Sequence, residues 1–308
     1  MIFWILLLLV SLYLLYKVSE ITEEELVKFA EYSRITHVAI GFIFLSAATS
    51  LPELSISISS AFLGNQEISA GVSLGNVLYD LILILPIVAV WYGVKISEEN
   101  FRKIKVLSLV SLAALFPIIF LKTIDRIYGI ALVASFIIFS LYFLQEKKKI
   151  YRFSTKEERF RNRIMLGASL VALSFLSFII NLSAKKIAEL SNISMLVIGS
   201  IFISIFTSSS ELFTCLAAAR RKNYDVVIGT LYGTLAFDIF FVMGSTSIIS
   251  PIIISNISQF LLLYLFLLLS LSSILLIVRK NKDIGIQSSI FLLVLFSLWI
   301  FLSIVFGI

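Results

Sequence analysis

The chain has 308 residues, of which 59% are hydrophobic and 14% charged, and its mean hydropathy is +1.05. A globule of this composition would be insoluble, and many windows of about 20 residues are apolar enough to cross a bilayer. The net charge of +6 does not indicate nucleic-acid binding, because the basic residues form short clusters between apolar spans. The single cysteine, Cys215, excludes an intrachain disulfide and a cysteine metal cluster. These features predict a multi-pass membrane protein.

Ten spans are predicted along the chain, with boundaries good to a few residues. The first begins like a signal peptide, but it lacks a basic start and a small-residue cleavage site before Lys17, so it is kept as a span. The predicted class is an all-α membrane protein. The spans are 2–32, 36–62, 68–91, 106–121, 127–144, 164–184, 194–219, 225–248, 257–278 and 286–306.

Lysine and arginine counts predict the orientation. If the basic segment 145–163 is cytoplasmic, the inside loops 92–105, 145–163, 220–224 and 279–283 hold 4, 8, 3 and 3 basic residues, and the outside loops hold few. Ten spans then place both termini outside the cytoplasm. The expected location is the cell membrane.

A short motif occurs twice. Thr49-Ser50-Leu51-Pro52-Glu53 is followed 158 residues later by Thr207-Ser208-Ser209-Ser210-Glu211. An ungapped register over about 45 residues predicts an internal duplication. The same offset relates Gly41 to Gly199, Gly71 to Gly229, Gly75 to Gly233, and Asp80 to Asp238.

Each half of the chain contains five predicted spans, an odd number, so the second half must enter the membrane in the opposite orientation. Inverted repeats are typical of secondary transporters, whose substrate site lies near mid-depth between the repeats. The predicted units are a first repeat at 1–144, a basic cytoplasmic linker at 145–163 and a second repeat at 164–308. Their most similar parts, the α-repeats, are about 36–84 and 194–242.

Four acidic residues fall within the hydrocarbon depth: Glu53, Asp80, Glu211 and Asp238. A carboxylate at this depth costs a few kcal/mol or more. The charged part of the first span, from Lys17 onward, is expected to continue out of the bilayer. Because no lysine or arginine then lies at the depth of the four acids, the compensating charge must be a bound cation, a proton or both.

Hydroxyl and amide side chains accompany these acids at helical spacing. Thr49 and Ser50 precede Glu53 by four and three residues, and Asn76 precedes Asp80 by four, so each set shares a helix face. The second repeat has the same spacing. The predicted metal site therefore comprises Glu53, Glu211, Asp80, Asp238, Thr49, Ser50, Thr207, Ser208, Asn76 and Thr234.

The chain between these residues is also informative. Pro52 should break a helix and free a carbonyl near Ala48 for a cation. The Gly-x-x-x-Gly pairs at 71/75 and 229/233 predict close helix packing.

The predicted ligands are oxygen atoms, which suit Ca²⁺ or Na⁺ rather than zinc or copper. His37 is expected at the interface, and Cys215 is expected to be a packing residue away from the ligands.

These motifs resemble the α-repeats of the cation/calcium exchanger superfamily, most closely the sodium/calcium exchangers. The first repeat continues as Gly71-Val72-Ser73-Leu74-Gly75-Asn76-Val77-Leu78-Tyr79-Asp80, and the second as Gly229-Thr230-Leu231-Tyr232-Gly233-Thr234-Leu235-Ala236-Phe237-Asp238. The resemblance implies ten spans in two inverted halves, with Glu53 and Glu211 shared between Ca²⁺ and Na⁺. In the family pattern the motif of the second repeat also contains a proline. Here Ser210 stands at that position, so a less broken seventh span is expected. Asp80 stands where these exchangers often have asparagine, so the site has one acid more than the family pattern.

The leading functional hypothesis is a secondary antiporter that exchanges Ca²⁺ for Na⁺ by alternating access. A Ca²⁺/H⁺ or other cation/H⁺ antiporter is the alternative, because four neighbouring carboxylates rarely all stay ionised. An intramembrane aspartyl protease is a remote alternative, since its Gly-x-Gly-Asp motif is absent. We expect no enzyme activity, no resident cofactor and no nucleic-acid partner. The expected partners are Ca²⁺, Na⁺, H⁺ in the alternative, and the lipid bilayer, and a monomer would suffice.

Overall fold

A computed structural model of the chain describes residues 1–32, 49–143, 155–191 and 193–307, and these are almost entirely helical. The first part of the predicted second span, with Gly41, Ala48 and the preceding His37, lies outside these residues. The helices are α1 (Ile2–Tyr32), α2 (Leu51–Leu63), α3 (Glu67–Tyr92), α4 (Glu98–Leu121), α5 (Arg126–Phe143), α6 (Lys156–Ser191), α7 (Met195–Thr207), α8 (Ser209–Arg220), α9 (Tyr224–Ile249), α10 (Ile257–Asn281) and α11 (Ile286–Gly307).

Seven helices of the described residues are long and apolar enough to cross a membrane, and the bent pair α7 and α8 makes eight. Two more apolar helices, α2 and α5, are shorter in the described residues. The predicted positions agree with the helices, but the count of ten spans stays a prediction. Three boundaries differ, because α4 begins at Glu98 instead of 106, α6 extends to Ser191, and α6 begins at Lys156 inside the predicted linker.

The centre of the molecule is formed by α3 and α9, which are 89% and 83% buried. Their backbones each contain a π-helical turn, Asp80–Ile84 in α3 and Phe237–Val242 in α9. A third π-helical turn, Ile198–Ile203, lies in α7. Such turns open the regular hydrogen-bond ladder and are frequent at functional sites. No pattern in the sequence predicts these π-helical turns.

Two short strand pairs join loops of the two halves. β1 (Val94–Lys95) pairs antiparallel with β4 (Asp283–Ile284), and β2 (Thr123–Ile124) pairs with β3 (Ile252–Ile253). Each pair joins two loops that the basic-residue count assigns to the same side of the membrane. The loops therefore pair consistently with the predicted topology.

Glycines allow α3 and α7 to touch through their backbones. A Cβ added at Gly71 would lie 2.4 Å from the carbonyl oxygen of Leu196, and one added at Gly75 would lie 2.4 Å from that of Ser200. The close packing predicted for these two glycines is confirmed. For Gly229 it stays a prediction: a Cβ there would meet nothing within 4 Å in the described part of the chain, but positions 38 and 42, which the repeat offset makes equivalent to Leu196 and Ser200, lie outside that part.

The long helices α1 and α6 pack together and are linked by a buried polar contact at the end of α1. Asn162 Nδ2 donates hydrogen bonds to the backbone oxygen of Glu25 at 2.8 Å and to its Oε2 at 2.7 Å. Burial raises the pKa of Glu25, but hydrogen bonds from Lys28 and Asn162 and the positive charges of Lys28 and Arg161 outweigh it, so the pKa is lowered. The contact fixes α6 against α1.

Candidate cation site

The two glutamates of the repeated motif occupy equivalent positions, each in the first turn of a helix that follows a break. Ser50, with φ −91° and ψ 14°, precedes α2, and Pro52 and Glu53 lie in the first turn of that helix. Proline is tolerated there because the first backbone N–H groups have no helical acceptor. Glu211 lies in the first turn of α8. The partial positive charge of a helix start favours a carboxylate.

The break in the second repeat does not require a proline. Ser208, with φ −70° and ψ 1°, separates α7 from α8, and the two helices meet at 40°. The seventh span is thus bent although Ser210 stands in the proline position. Whether it is less broken than the second span stays a prediction, because the first part of the second span lies outside the described residues. The backbone turn at Ser208 produces the bend.

Two hydrogen bonds connect α3 with α9 at the π-helical turns. Asn76 Nδ2 donates to Asp238 Oδ2 at 2.8 Å, and the Thr234 hydroxyl lies in hydrogen-bond contact with Asp80 Oδ2. Adding 158 to 76 and 80 gives 234 and 238, so the two contacts are equivalent under the repeat. Each repeat supplies a neutral side chain to the acid of the other.

Ser208 extends this network to the broken helix pair. Its hydroxyl donates to Asn76 Oδ1, while the Asn76 amide nitrogen faces Asp238. The orientation of the Asn76 amide is thereby fixed, with the oxygen toward α8 and the nitrogen toward α9. Every partner in this chain of contacts is buried.

Glu53 completes a group of three acids. It interacts electrostatically with Asp80 and Asp238, and Ser50 lies beside Asp238. Glu53, Asp80 and Asp238 have no exposed surface. The structure thus brings together acids from α2, α3 and α9, as the spacing predicted.

Glu211 lies on the other side of the network, next to the single cysteine. Cys215 is fully buried and interacts electrostatically with both Glu211 and Asp80. The expectation that no cysteine lies near the ligands is therefore wrong. Cys215 is four residues after Glu211, one helical turn, and this spacing could have revealed its position.

All ten predicted site residues are buried, but they are not equally close to one another. Thr207 Oγ1 donates to the Ser204 oxygen at 3.3 Å, and Thr49 is fully buried at the start of the described α2 segment. Among the described residues, no three His, Cys, Asp or Glu side chains converge tightly enough to hold a metal ion alone. A cation here would need hydroxyl, amide or backbone oxygens as well.

In the residues that the structure describes, no basic side chain contributes to the electrostatics of Asp80 or Asp238. No lysine or arginine occurs between residues 49 and 94, and Arg220, Arg221 and Lys222 lie at the far end of α8. In the described part of the chain, Asp80 Oδ1 and Asp238 Oδ1 have no hydrogen-bond donor. Buried carboxylate oxygens without donors suit a cation or a proton.

Two further polar residues support the site and were missed from the sequence. Tyr79 OH donates to the backbone oxygen of Ile201 at 3.1 Å, so α3 holds the π-helical turn of α7. Asn181 of α6 donates to the backbone oxygen of Ile56 in α2 at 2.9 Å. Asn181 interrupts the apolar run of α6 and could have been found on that signal. Nothing local distinguishes Tyr79 from an ordinary aromatic core residue.

A helical membrane protein with a buried cluster of oxygen ligands, shared by α2, the bent pair α7 and α8, and the two central helices α3 and α9, has the design of an ion transporter. The chain belongs to the sodium/calcium exchanger protein family, whose model matches residues 3–145 and again residues 163–305. The family and its relatives are transporters rather than enzymes.

Individual relatives and a solved structure agree with this assignment. The chain is 25% identical over 232 residues to the inner membrane protein YrbG of Escherichia coli (strain K12), covering 70% of this chain and 71% of that protein. It is 32% identical over 120 residues to the sodium/calcium exchanger MaX1 of Methanosarcina acetivorans, covering 38% and 33%. The fold is similar to that of the sodium-calcium exchanger NCX_Mj, with a TM-score of 0.65, 22% identity, and coverage of 99% and 98%.

Proposed function

We propose that this chain is a secondary antiporter that exchanges Ca²⁺ for Na⁺ by alternating access. The observation that carries the proposal is the pair of equivalent hydrogen bonds, Asn76 to Asp238 and Thr234 with Asp80, at the centre of the molecule. They place two acids at the crossing of α3 and α9, with Glu53 beside both. The ten residues predicted from sequence form the proposed site.

The chemistry of these side chains favours a hard cation. Carboxylate, hydroxyl and amide oxygens are the usual ligands of Ca²⁺, and Na⁺ takes the same donors. Several ionised acids in a low-dielectric interior repel one another strongly unless cations neutralise them. Because one set of carboxylates cannot serve a full complement of both ions, binding of one ion displaces the other. Exchange follows from this competition.

The proposed architecture is two inverted five-span repeats. The family model matches the two halves of the chain separately, and the two strand pairs are related by nearly the same offset as the motif, since β1 and β3 begin 158 residues apart. An odd number of spans in each half would invert the second half. Alternating access would then arise from movement of helices around a site that stays near mid-depth.

Proton coupling is the second candidate, and one contact favours it. The Thr234 hydroxyl lies 3.0 Å from the backbone oxygen of Leu231 as well as against Asp80 Oδ2. Threonine in a helix commonly donates to such a carbonyl. A hydroxyl has one proton to donate. If Thr234 donates that proton to the Leu231 oxygen, the hydrogen bond between Thr234 and Asp80 needs a proton on the Asp80 carboxyl, with the Thr234 oxygen as acceptor. Asp80 would then be neutral while Asp238 accepts from Asn76.

The protease alternative is dropped. The family match covers both halves of the chain and is to exchangers, and a protease does not account for Glu53 or Glu211. The names of the relatives, sodium/calcium exchanger and putative antiporter, support ion exchange.

The test is ⁴⁵Ca²⁺ uptake into proteoliposomes containing the purified protein. One set is loaded with Na⁺ and diluted into Na⁺-free buffer, and a second carries an acid interior without Na⁺. Uptake driven by the Na⁺ gradient alone supports Ca²⁺/Na⁺ exchange, and uptake driven by the pH gradient alone supports the proton alternative. Absence of uptake under both gradients, with the protein folded and inserted, would rule out Ca²⁺ as the substrate.

A further inference from the structure

The contact between α3 and α9 differs in character on the two sides of the proposed cation site. From the bond of Asn76 to Asp238 it extends to one end of the helices, and from the contact of Thr234 with Asp80 it extends to the other end. We call the first part the outer half and the second the inner half, following the predicted topology. The repeat offset of 158 residues relates the two halves.

The last contacts at the two ends show that this offset relates contacts as well as residues. At the outer end the Gln66 side-chain amide donates to the Ser250 hydroxyl, and at the inner end Tyr224 OH donates to the backbone oxygen of Tyr92 at 3.2 Å. Adding 158 to 66 gives 224, and subtracting it from 250 gives 92. Positions between these ends can therefore be compared directly.

The outer half carries three buried hydroxyl groups between its ends. Ser69 Oγ donates to Thr246 Oγ1 at 3.0 Å, which joins α3 to α9. Ser73 lies one turn further along the same face of α3, three residues before Asn76. None of the three side chains has exposed surface. We call Ser69, Ser73 and Thr246 the hydroxyl stripe.

The equivalent positions of the inner half carry apolar side chains, which are also fully buried: Val227, Leu231 and Val88. They correspond to the three residues of the hydroxyl stripe in the order given. Packing of α3 against α9 therefore does not require hydroxyl groups at these positions. Polar side chains within membrane spans are costly, and they commonly face water-filled space or mark the path of an ion or proton.

Two buried oxygen atoms at the deep end of the outer half have no hydrogen-bond partner in the described residues. They are Ser73 Oγ and Asp238 Oδ1. The stripe does not satisfy them, because Ser69 uses its proton for Thr246, and Thr246 donates to the backbone oxygen of Val242 at 2.8 Å. Buried polar atoms of this kind are suited to hydrogen bonding with water.

We propose that water enters the outer half along the hydroxyl stripe as far as Asp238, and that the inner half stays dry. A cation or proton beside Asp238 then exchanges with the solution at the Gln66 end of the helices. The solution on the other side reaches the site along a different set of helices. This inference goes beyond the proposed function, because it concerns the path of water and not the identity of the exchanged ion.

The single cysteine of the chain makes the path testable by thiol labelling. In a Cys215→Ser background, Ser73→Cys and Leu231→Cys place one thiol at equivalent positions of the two halves. The purified full-length proteins in detergent are treated with 2-aminoethyl methanethiosulfonate, a small water-soluble cation that modifies thiols, and the reaction is followed by intact mass. Ser270→Cys, fully buried in α10, reports general opening of the helices.

Ser73→Cys should be modified at least about tenfold faster than Leu231→Cys and Ser270→Cys, because the thiolate is the reactive form and needs water to ionise. Leu231→Cys removes more volume than Ser73→Cys, so a cavity left by the substitution favours the opposite result. Modification at 73 that is no faster than at 231 or at 270 would overturn the proposal.

A second pair keeps the test decisive if Ser73→Cys does not elute as a folded protein. Ser69→Cys and Val227→Cys also lie at equivalent positions, and the same difference in rate is expected. The labelling needs no transport, so its failure is distinguishable from a failure of Ca²⁺/Na⁺ exchange.

Discussion

Substitution of one glycine should separate a packing effect from a helix-propensity effect, because the chain also offers a control glycine. Gly71 lies in the interior of α3, where it is buried, and Gly167 lies in the interior of α6, where it is exposed. A Cβ at Gly71 would lie 2.4 Å from the Leu196 oxygen, where ordinary contacts are 3.4 Å or more. The α3 and α7 backbones would therefore have to separate by about 1 Å, the difference between these distances. Overpacking of this kind costs about 1–3 kcal/mol.

The helix propensity of alanine works in the opposite direction. Alanine is favoured over glycine by about 1 kcal/mol in a helix interior. Gly167→Ala should gain this without a clash, since Gly167 is exposed and a Cβ there would meet no atom within 4 Å in the described residues. Gly71→Ala gains the same helix propensity, but it also loses the free energy needed to separate the α3 and α7 backbones. The two variants should therefore differ by about 1–3 kcal/mol, with Gly71→Ala the less stable.

Thermal unfolding of both variants in the same detergent measures this difference. At about 2–4 °C per kcal/mol for proteins of 150–250 residues, Gly71→Ala should melt several degrees below Gly167→Ala. It should also lose ⁴⁵Ca²⁺ uptake, because α3 carries Asn76 and Asp80. Equal melting temperatures and equal uptake for the two variants would refute the account of backbone contact between α3 and α7.

Three further predictions concern single side chains. Glu53→Gln and Glu211→Gln keep the shape of the site but remove a charge that a divalent ion needs, so each should abolish ⁴⁵Ca²⁺ uptake. Each variant should still elute as a folded monodisperse species. Normal uptake in both would contradict the site assignment. If Asp80 carries a proton at neutral pH, Asp80→Asn should change ⁴⁵Ca²⁺ uptake little at pH 7 and should flatten the pH dependence of uptake above neutrality. A uniform fall in Ca²⁺ affinity from pH 6 to 9 would show instead that Asp80 is a charged ligand. Asn162→Leu removes two hydrogen bonds to Glu25, so it should cost about 1–3 kcal/mol. The bond to Oε2 lowers the folded-state pKa of Glu25, so its stabilisation is present above the unfolded value of about 4.3 and is lost as the pH falls through the lower folded value. The melting temperatures of Asn162→Leu and the parent should therefore draw closer in acid, and the part of the difference due to the bond to the backbone oxygen should remain.

Local patterns in the sequence determined the class of the protein and the composition of its site. Apolar runs of membrane-spanning length define most helices, because a polar backbone in lipid must satisfy its hydrogen bonds within the helix. The motif at Glu53 and its copy at Glu211 identified the acids, since a carboxylate in such a run is expensive and has no ordinary structural role. The spacing of Asn76 and Asp80 placed both on one face of α3.

Tertiary packing decided which of these residues meet. Helical periodicity relates Asn76 to Asp80 in the same helix, but the structure pairs Asn76 with Asp238 and Thr234 with Asp80, across more than 150 residues. Packing also decides that Gly71 lies against the backbone of α7 at Leu196, a partner that the Gly-x-x-x-Gly spacing does not identify. A single sequence encodes periodicity over a few turns, whereas the partner of a buried group depends on how whole helices cross. The crossing of α3 and α9 is set by side chains on both helices together, and no local pattern contains it.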